Sequence, residues 1–312
     1  MSLRSFYTKH KVKIVMLTPI LIGLAFFFYS TISALITINT TDIPDDFDNV
    51  NVEISDYQIQ QIDEKTNQVK WILNAEEAET STGETEAKIH HPSLVYYDGS
   101  KPKFTITSVY AQLDQKNQQV ILNDNVILKT SDGKYTIRAG EMFFKESDEF
   151  IEFSKNWKIE NHEGYKIDGI IGMVSKDFNT IISKQNARLN KDSTDILADE
   201  IRLELNSSEP VKAYRNAVLK ISEEQKLYAN EIKISSNGNV RAEGAVNVKT
   251  SEIDCFSDHL IITAKPNKSP QLAVFTGNPH IIQSGNSIYS DKIIYDFDTK
   301  QASMEGGVHS GG

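Results

Sequence analysis

The sequence predicts an all-β body behind one N-terminal transmembrane helix. Three observations predict it: a charge-free apolar run at residues 14–38, period-2 alternation from residue 50 onward, and two short motifs that recur about every 30 residues. The 312 residues are 39% hydrophobic and 24% charged, the composition of a folded chain. A net charge of −10 argues against a general nucleic-acid binder, which needs basic surface to displace counterions. Cys255 is the sole cysteine, so neither an intrachain disulfide nor a Cys-rich zinc site can form.

The first element is IVMLTPILIGLAFFFYSTISALITI at 14–38. As a helix it would span roughly 37 Å at about 1.5 Å per residue, enough for a hydrocarbon core of about 30 Å. Arg4, Lys9, Lys11 and Lys13 precede it, and Asp42, Asp45, Asp46 and Asp48 follow it. The positive-inside rule then leaves residues 1–13 in the cytoplasm and puts everything beyond a linker at 39–49 on the far side of the membrane. A cleaved signal peptide is the competing reading. It fits less well, because the run is long for such a peptide and no A-x-A site follows it.

The body shows no amphipathic helix longer than a turn or two. Stretches such as VILKT at 126–130, YTIRA at 135–139, IRLEL at 201–205 and VNVKT at 246–250 alternate and end at Asn, Asp, Gly or Ser. One recurring motif is small-acidic-x-apolar: AEEA at 75–78, AGEM at 139–142, ADEI at 198–201, ANEI at 229–232 and SDKI at 290–293, with weaker copies starting at 108, 168 and 257. A second is a turn pair followed by an alternating strand. The residue after the pair falls at 126, 157, 187, 218, 246, 279 and 308. Each unit then supplies about two strands and can bury its apolar face only by stacking on its neighbours. A propeller needs about four strands per unit. A parallel β-helix stays possible, but its coils are usually more regular. A twisted antiparallel stack, folded into a V or an open jelly roll, fits best.

Chemistry-bearing constellations do not emerge. The seven histidines show no zinc spacing, and no GxSxG, GxGxxG or phosphate-cradling loop occurs. No catalytic residue, metal site or cofactor is expected, so the protein is read as a non-enzyme. Cys255 reads as a buried thiol, and the scattered acids read as solvated faces. Gly169 and Gly172 suggest either a close backbone approach or a plain turn.

The anchor followed by QVKWILNAEEAE at 68–79, HPSLVYYDG at 91–99 and NDNVILKTSDGKYTIRAGEMFF at 123–144 resembles the LptC family. GYKIDGIIGMVSKDFNTIISKQNARL at 164–189 resembles the end of its domain. Residues 191–312 resemble the OstA repeat of LptA and LptD, on ILADEIRLEL at 196–205, KLYANEIKI at 226–234 and NSIYSDKIIYDF at 286–297. The resemblance implies an LptC-like β-jellyroll at 50–190 stacked on an LptA/OstA-like repeat domain at 191–312. It also implies a single-pass inner-membrane protein with its body in the periplasm. It implies no enzyme but a bridge for lipopolysaccharide, whose acyl chains ride in an apolar groove. The implied partners are the inner-membrane LptB/LptF/LptG ABC transporter and LptA- or LptD-type OstA domains joined end to end. A structural envelope scaffold or adhesin is the rival reading.

An acyl chain in water costs about 0.8 kcal/mol per exposed CH₂, so a carrier needs a continuous apolar path. Strand parity nominates Trp71, Leu73, Tyr96, Phe104, Ile106, Val126, Leu128, Tyr135, Ile137, Phe144, Trp157 and Ile159 in the first block. In the second it nominates Ile201, Leu203, Ile232, Ile234, Val246 and Val248. Ile54, Leu197 and Val218 are expected to face inward as well. Ile288, Tyr289, Ile293 and Tyr295 are the expected partner edge.

Overall fold

The computed structural model describes residues 51–63, 65–81, 86–192, 194–250, 253–283 and 286–311. The expected anchor at 14–38 and its flanks lie outside the described residues. Among the described residues no helix is long and apolar enough to cross a membrane. Residues 51–312 form one compact unit.

The described residues are built from strands. They begin with β1 (Asn51–Asp63), β2 (Gln68–Ser81), β3 (Glu86–His90), β4 (Ser93–Asp98), β5 (Lys101–Thr107), β6 (Tyr110–Asp114), β7 (Gln119–Thr130) and β8 (Tyr135–Lys145). There follow β9 (Phe150–Ser154), β10 (Trp157–Asn161), β11 (Lys166–Gly169), β12 (Ile171–Ser175), β13 (Thr180–Lys191), β14 (Thr194–Glu204), β15 (Val211–Lys220) and β16 (Lys226–Ile234). The last are β17 (Val240–Lys249), β18 (Asp254–Ala264), β19 (Pro270–Thr276), β20 (His280–Gln283), β21 (Asn286–Tyr289), β22 (Lys292–Asp296), β23 (Gln301–Glu305) and β24 (His309–Gly311).

All pairings are antiparallel, and the long strands run through two layers. The half of β7 near Ile127 pairs with β5, while the half near Ile121 pairs with β6. In β8 the halves pair with β10 and β9, and in β13 with β11 and β12. From β13 to β18 successive long strands pair with each other through both layers. Beyond β18 the halves separate again, onto β20 in the first layer and β19 in the second.

Both recurring motifs encode the crease between the layers. The turn pairs Asp124–Asn125, Lys155–Asn156, Gln185–Asn186, Arg215–Asn216, Gly244–Ala245 and Gly277–Asn278 all hold φ between about +50° and +75°. Asn and Gly tolerate this left-handed backbone, which explains their recurrence. In β7 the pair Asp124–Asn125 lies between the paired Asn123 and Val126, opposite the single residue Gly140 of AGEM: a β-bulge. The extra residue keeps Val120, Leu122, Val126 and Leu128 of β7 on one parity, while on β8 the inner face shifts by one position across the crease, so Ile137 and Ala139 on one side and Met142 and Phe144 on the other all point inward. In the fourth copy the pair is Arg215–Asn216, one residue earlier than the sequence motif suggested. Ala217 and Leu219 are therefore the buried residues there, and Val218 faces out.

Two more expectations are corrected. Leu197, expected inward, is 46% exposed, because Ile196 and Ala198 occupy the inner face of β14. Ile54, near the start of β1, is exposed as well.

The hairpin ends are closed by side-chain caps. Asp132 Oδ1 accepts the Lys134 N–H at 3.0 Å, Asp177 Oδ1 that of Asn179 at 3.0 Å, and Asp296 Oδ1 that of Asp298 at 2.8 Å. Hydrogen bonds hold these carboxyls below their usual range, with the Ser175 hydroxyl the largest influence on Asp177. Several acids therefore cap turns, a more specific role than a solvated face.

Candidate functional site

Facing residues of the two layers bury one another in a single hydrophobic core that runs from Trp71 to Ile293. It passes residue 190 without a break, because β13 and β14 form one hairpin paired from Thr180↔Glu204 to Lys191↔Thr194. The expected groove residues meet in this core. Trp71, Leu73, Phe104, Ile106, Val126, Leu128, Ile137, Phe144, Trp157 and Ile159 are buried, as are Ile201, Leu203, Ile232, Val246 and Val248. Tyr96, Tyr135 and Ile234 are partly buried and pack against it. Ile137 and Ile159 are directly paired neighbours on β8 and β10.

Side chains fill this interior. Toward the C-terminal end lies an apolar cavity of about 20 Å³ between Val248, Cys255 and Ile281 of the first layer and Ile262, Phe275 and Ile293 of the second. That volume admits about one water-sized sphere and no acyl chain. Burial pushes the Cys255 thiol up to about 12.

The free margins of the two layers meet at an aromatic seam that sequence reasoning described only in part. Tyr96, Phe104 and Tyr135 come from the first layer, Phe144 from the second, and Phe178 from the β12–β13 turn of the second. Tyr96 stacks on Phe104 at 4.8 Å between centroids, Phe104 meets Phe178 edge-on at 5.9 Å, and Phe178 stacks on Tyr135 at 5.3 Å. Lys176 lies over Phe144 at 5.2 Å and donates to the Lys145 carbonyl at 2.9 Å. Its partial burial lowers its pKa. Phe178 holds φ +62°, which is costly for a bulky side chain. Its turn is fixed by its own N–H to the Ser175 carbonyl at 2.8 Å and by the Ser175 hydroxyl to Asp177 at 2.5 Å.

The two flagged glycines are close approaches. A Cβ on Gly172 would lie 2.2 Å from the Trp157 ring, and one on Gly169 would lie 2.3 Å from Ser183 Oγ. Neither needs a left-handed backbone.

The expected partner edge lies one strand inside the last margin. Ile288 and Tyr289 of β21 are covered by β24, and Ile293 and Tyr295 of β22 by β23. Among the described residues, β23 and β24 carry the outermost backbone at that end. Also among the described residues, no group of three His, Cys, Asp or Glu side chains is placed to hold a metal ion.

The family model described as "Lipopolysaccharide-assembly, LptC-related" matches residues 20–177, half of the chain. The chain belongs to the LptC family. The LptC match ends inside the turn that carries Phe178, so most of the aromatic seam lies within it and the strands from β13 onward lie beyond it. Among solved structures, the chain is similar to "LptH, the LptA homologous periplasmic component of the conserved lipopolysaccharide transport device from Pseudomonas aeruginosa". The identity is 10%, over 48% of this chain and 94% of that one, with a TM-score of 0.23. No curated protein sequence matches.

Proposed function

We propose that this LptC-family chain is a periplasmic bridge for lipopolysaccharide and that the space between its two layers shelters the acyl chains. The observation that carries the reading is the single apolar core extending from the LptC-matched part into the later strands with no polar interruption at residue 190. Burial from water is the dominant favourable term for an acyl chain, and a path of this kind supplies it stepwise. Because side chains fill the interior, loading requires the layers to part. The aromatic seam is the margin that has to open. Trp71 through Ile159 in the first block and Ile201 through Val248 in the second line the path, with Tyr96, Tyr135 and Ile234 nearest its mouth.

In this reading residues 14–38 anchor the chain in the inner membrane, and an ABC transporter of the LptB/LptF/LptG kind delivers the lipid. The blocks 50–190 and 191–312 act as receiving and onward halves. An OstA-type partner adds to the outermost strands β23 and β24, with Ile288, Tyr289, Ile293 and Tyr295 supporting that edge from one strand behind.

The filled interior also suits a structural scaffold without lipid. One experiment separates the two. A photoreactive residue placed at Tyr96, Tyr135 or Ile234 is expected to crosslink to lipopolysaccharide in cells, and one at outward-facing Lys158 is not. Equal crosslinking from Lys158, or none from the three inner positions, favours the scaffold.

A further inference from the structure

The outer face of the first layer carries a straight row of side chains beside the crease. Register pairs Tyr228 with Asn247, Asn247 with Phe256, Phe256 with His280, His280 with Tyr289, and Tyr289 with His309. From Phe256 onward the row is a ladder of rings. Centroids are 5.0 Å apart for Phe256–His280, 4.9 Å for His280–Tyr289 and 5.4 Å for Tyr289–His309, with planes within 26° of parallel. At Asn247 the ladder lacks a ring. Tyr228 and Phe256 stand two strand spacings apart there, about 9.5 Å, and an open hollow of about 570 Å³ runs over this place along the row from Tyr228 to His280.

The floor and rim of that hollow are polar. Asn247 lines it, and its Oδ1 is buried with no hydrogen-bond partner among the described residues. That atom is closed to solvent, so its lost hydrogen bond is a local cost and a ligand in the hollow meets the rim groups. Asp258, Asn278 and Lys249 form the rim, with Asn278 Nδ2 3.4 Å from Asp258 Oδ2.

We propose that this hollow binds a pyranose ring, seated between Tyr228 and Phe256 with its hydroxyls paired to the polar rim of Lys249, Asp258 and Asn278. The C–H bonds of a pyranose face suit the negative faces of aromatic rings. Its hydroxyls both donate and accept, which matches the amide and carboxylate groups around it. A purely apolar ring would desolvate the polar rim of Lys249, Asp258 and Asn278 without pairing it. The rim sets one acid, Asp258, against one base, Lys249, so it offers no net positive charge to a phosphorylated ligand. The site lies on the face opposite the interior and does not depend on acyl chains lying there.

The test is saturation-transfer NMR on the full chain with methyl β-D-glucopyranoside and methyl N-acetyl-β-D-glucosaminide, in a detergent without a sugar headgroup. Saturation of the ring C–H protons is expected, falling about five-fold or more in Tyr228→Ala and in Asn247→Leu. The second variant replaces the polar floor by an apolar one and removes the buried unpaired acceptor, so its melting temperature is expected to hold or rise. That keeps loss of binding distinct from loss of fold. The same ring chemistry could come from a free glycan or a glycolipid headgroup. Displacement of the glycoside by lipopolysaccharide micelles assigns the headgroup, and persistence assigns the glycan. No saturation in the unmodified chain, or equal saturation in a folded Asn247→Leu variant, overturns the site.

Discussion

Phe178 stacks on Tyr135 with centroids 5.3 Å apart and planes 17° from parallel, and the two residues belong to opposite layers. The contact bolts the margins together where they would otherwise gape. Phe178→Ala keeps the unfavourable φ and loses the ring, so stability is expected to fall by about 3 kcal/mol or more in urea unfolding. If the seam gates loading, lipopolysaccharide should load faster in this variant under conditions where it stays folded. Unchanged loading would free the seam from any gating role.

Asp177 holds the turn beneath that ring. Its hydrogen bonds lower its pKa from 3.8, the one from Ser175 most. A carboxyl depressed in the folded state adds stability that is fully present above its unfolded value and is lost as pH falls through its folded value. Asp177→Ala should cost about 1 kcal/mol at neutral pH, the side chain being largely exposed. The difference from the unmodified chain should shrink below pH 3.8. Asp177→Asn, which retains an acceptor, should show a weaker pH dependence. Parallel melting curves from pH 2 to pH 7 check both.

Gly172 and Trp157 admit no extra carbon between them. Gly172→Ala is expected to push the indole off its seat and cost about 1–3 kcal/mol. Trp157 fluorescence should shift to the red in the folded variant. An unshifted spectrum would mean that the backbone yields in its place.

Cys255 offers a built-in reporter of layer parting. The thiol is 4% exposed and its pKa is pushed up to about 12, so thiolate is scarce at neutral pH. Maleimide labelling should be slow in the lipid-free chain and rise steeply in denaturant. Fast labelling under native conditions would show that the layers already separate near β18.

Ile137 and Ile159 sit side by side in the core. Placing Asp at Ile137 buries a charge without a partner, and the expected result is loss of the fold, seen as a collapsed melting transition. Probes of lipid contact therefore belong at half-buried Tyr96, Tyr135 and Ile234.

Much of the architecture was legible because one structural need repeats. Each crease holds a left-handed pair opposite a single residue, Gly140, Asp199, Asn230 or Asp258, so Asn and Gly recur beside the Ala- and Ser-led motifs that carry those residues. Strand parity was readable wherever the crease position was clear, as at Ile137 and Phe144. It failed at Leu197 and Val218, where the Arg215–Asn216 crease lies one residue from where the motif seemed to start. Phe178 could not be read, because nothing in KDFNT marks a bulky residue for positive φ. The outer row was hidden for another reason: its members are about 30 residues apart in the chain and meet only through register. From the Arg215–Asn216 pair onward, the second position after the turn pair is Val218, Asn247, His280 and His309, so aligning the repeats on the correct crease would have revealed part of it.

The crease repeat also fixes a unit of growth. Inserting or removing one copy of about 30 residues changes the stack by two strand widths, about 9.5 Å. Contacts away from the splice would stay as they are, because each unit touches only its neighbours. Span across a gap thus becomes a property that recombination can adjust in fixed steps, with no redesign of the interior.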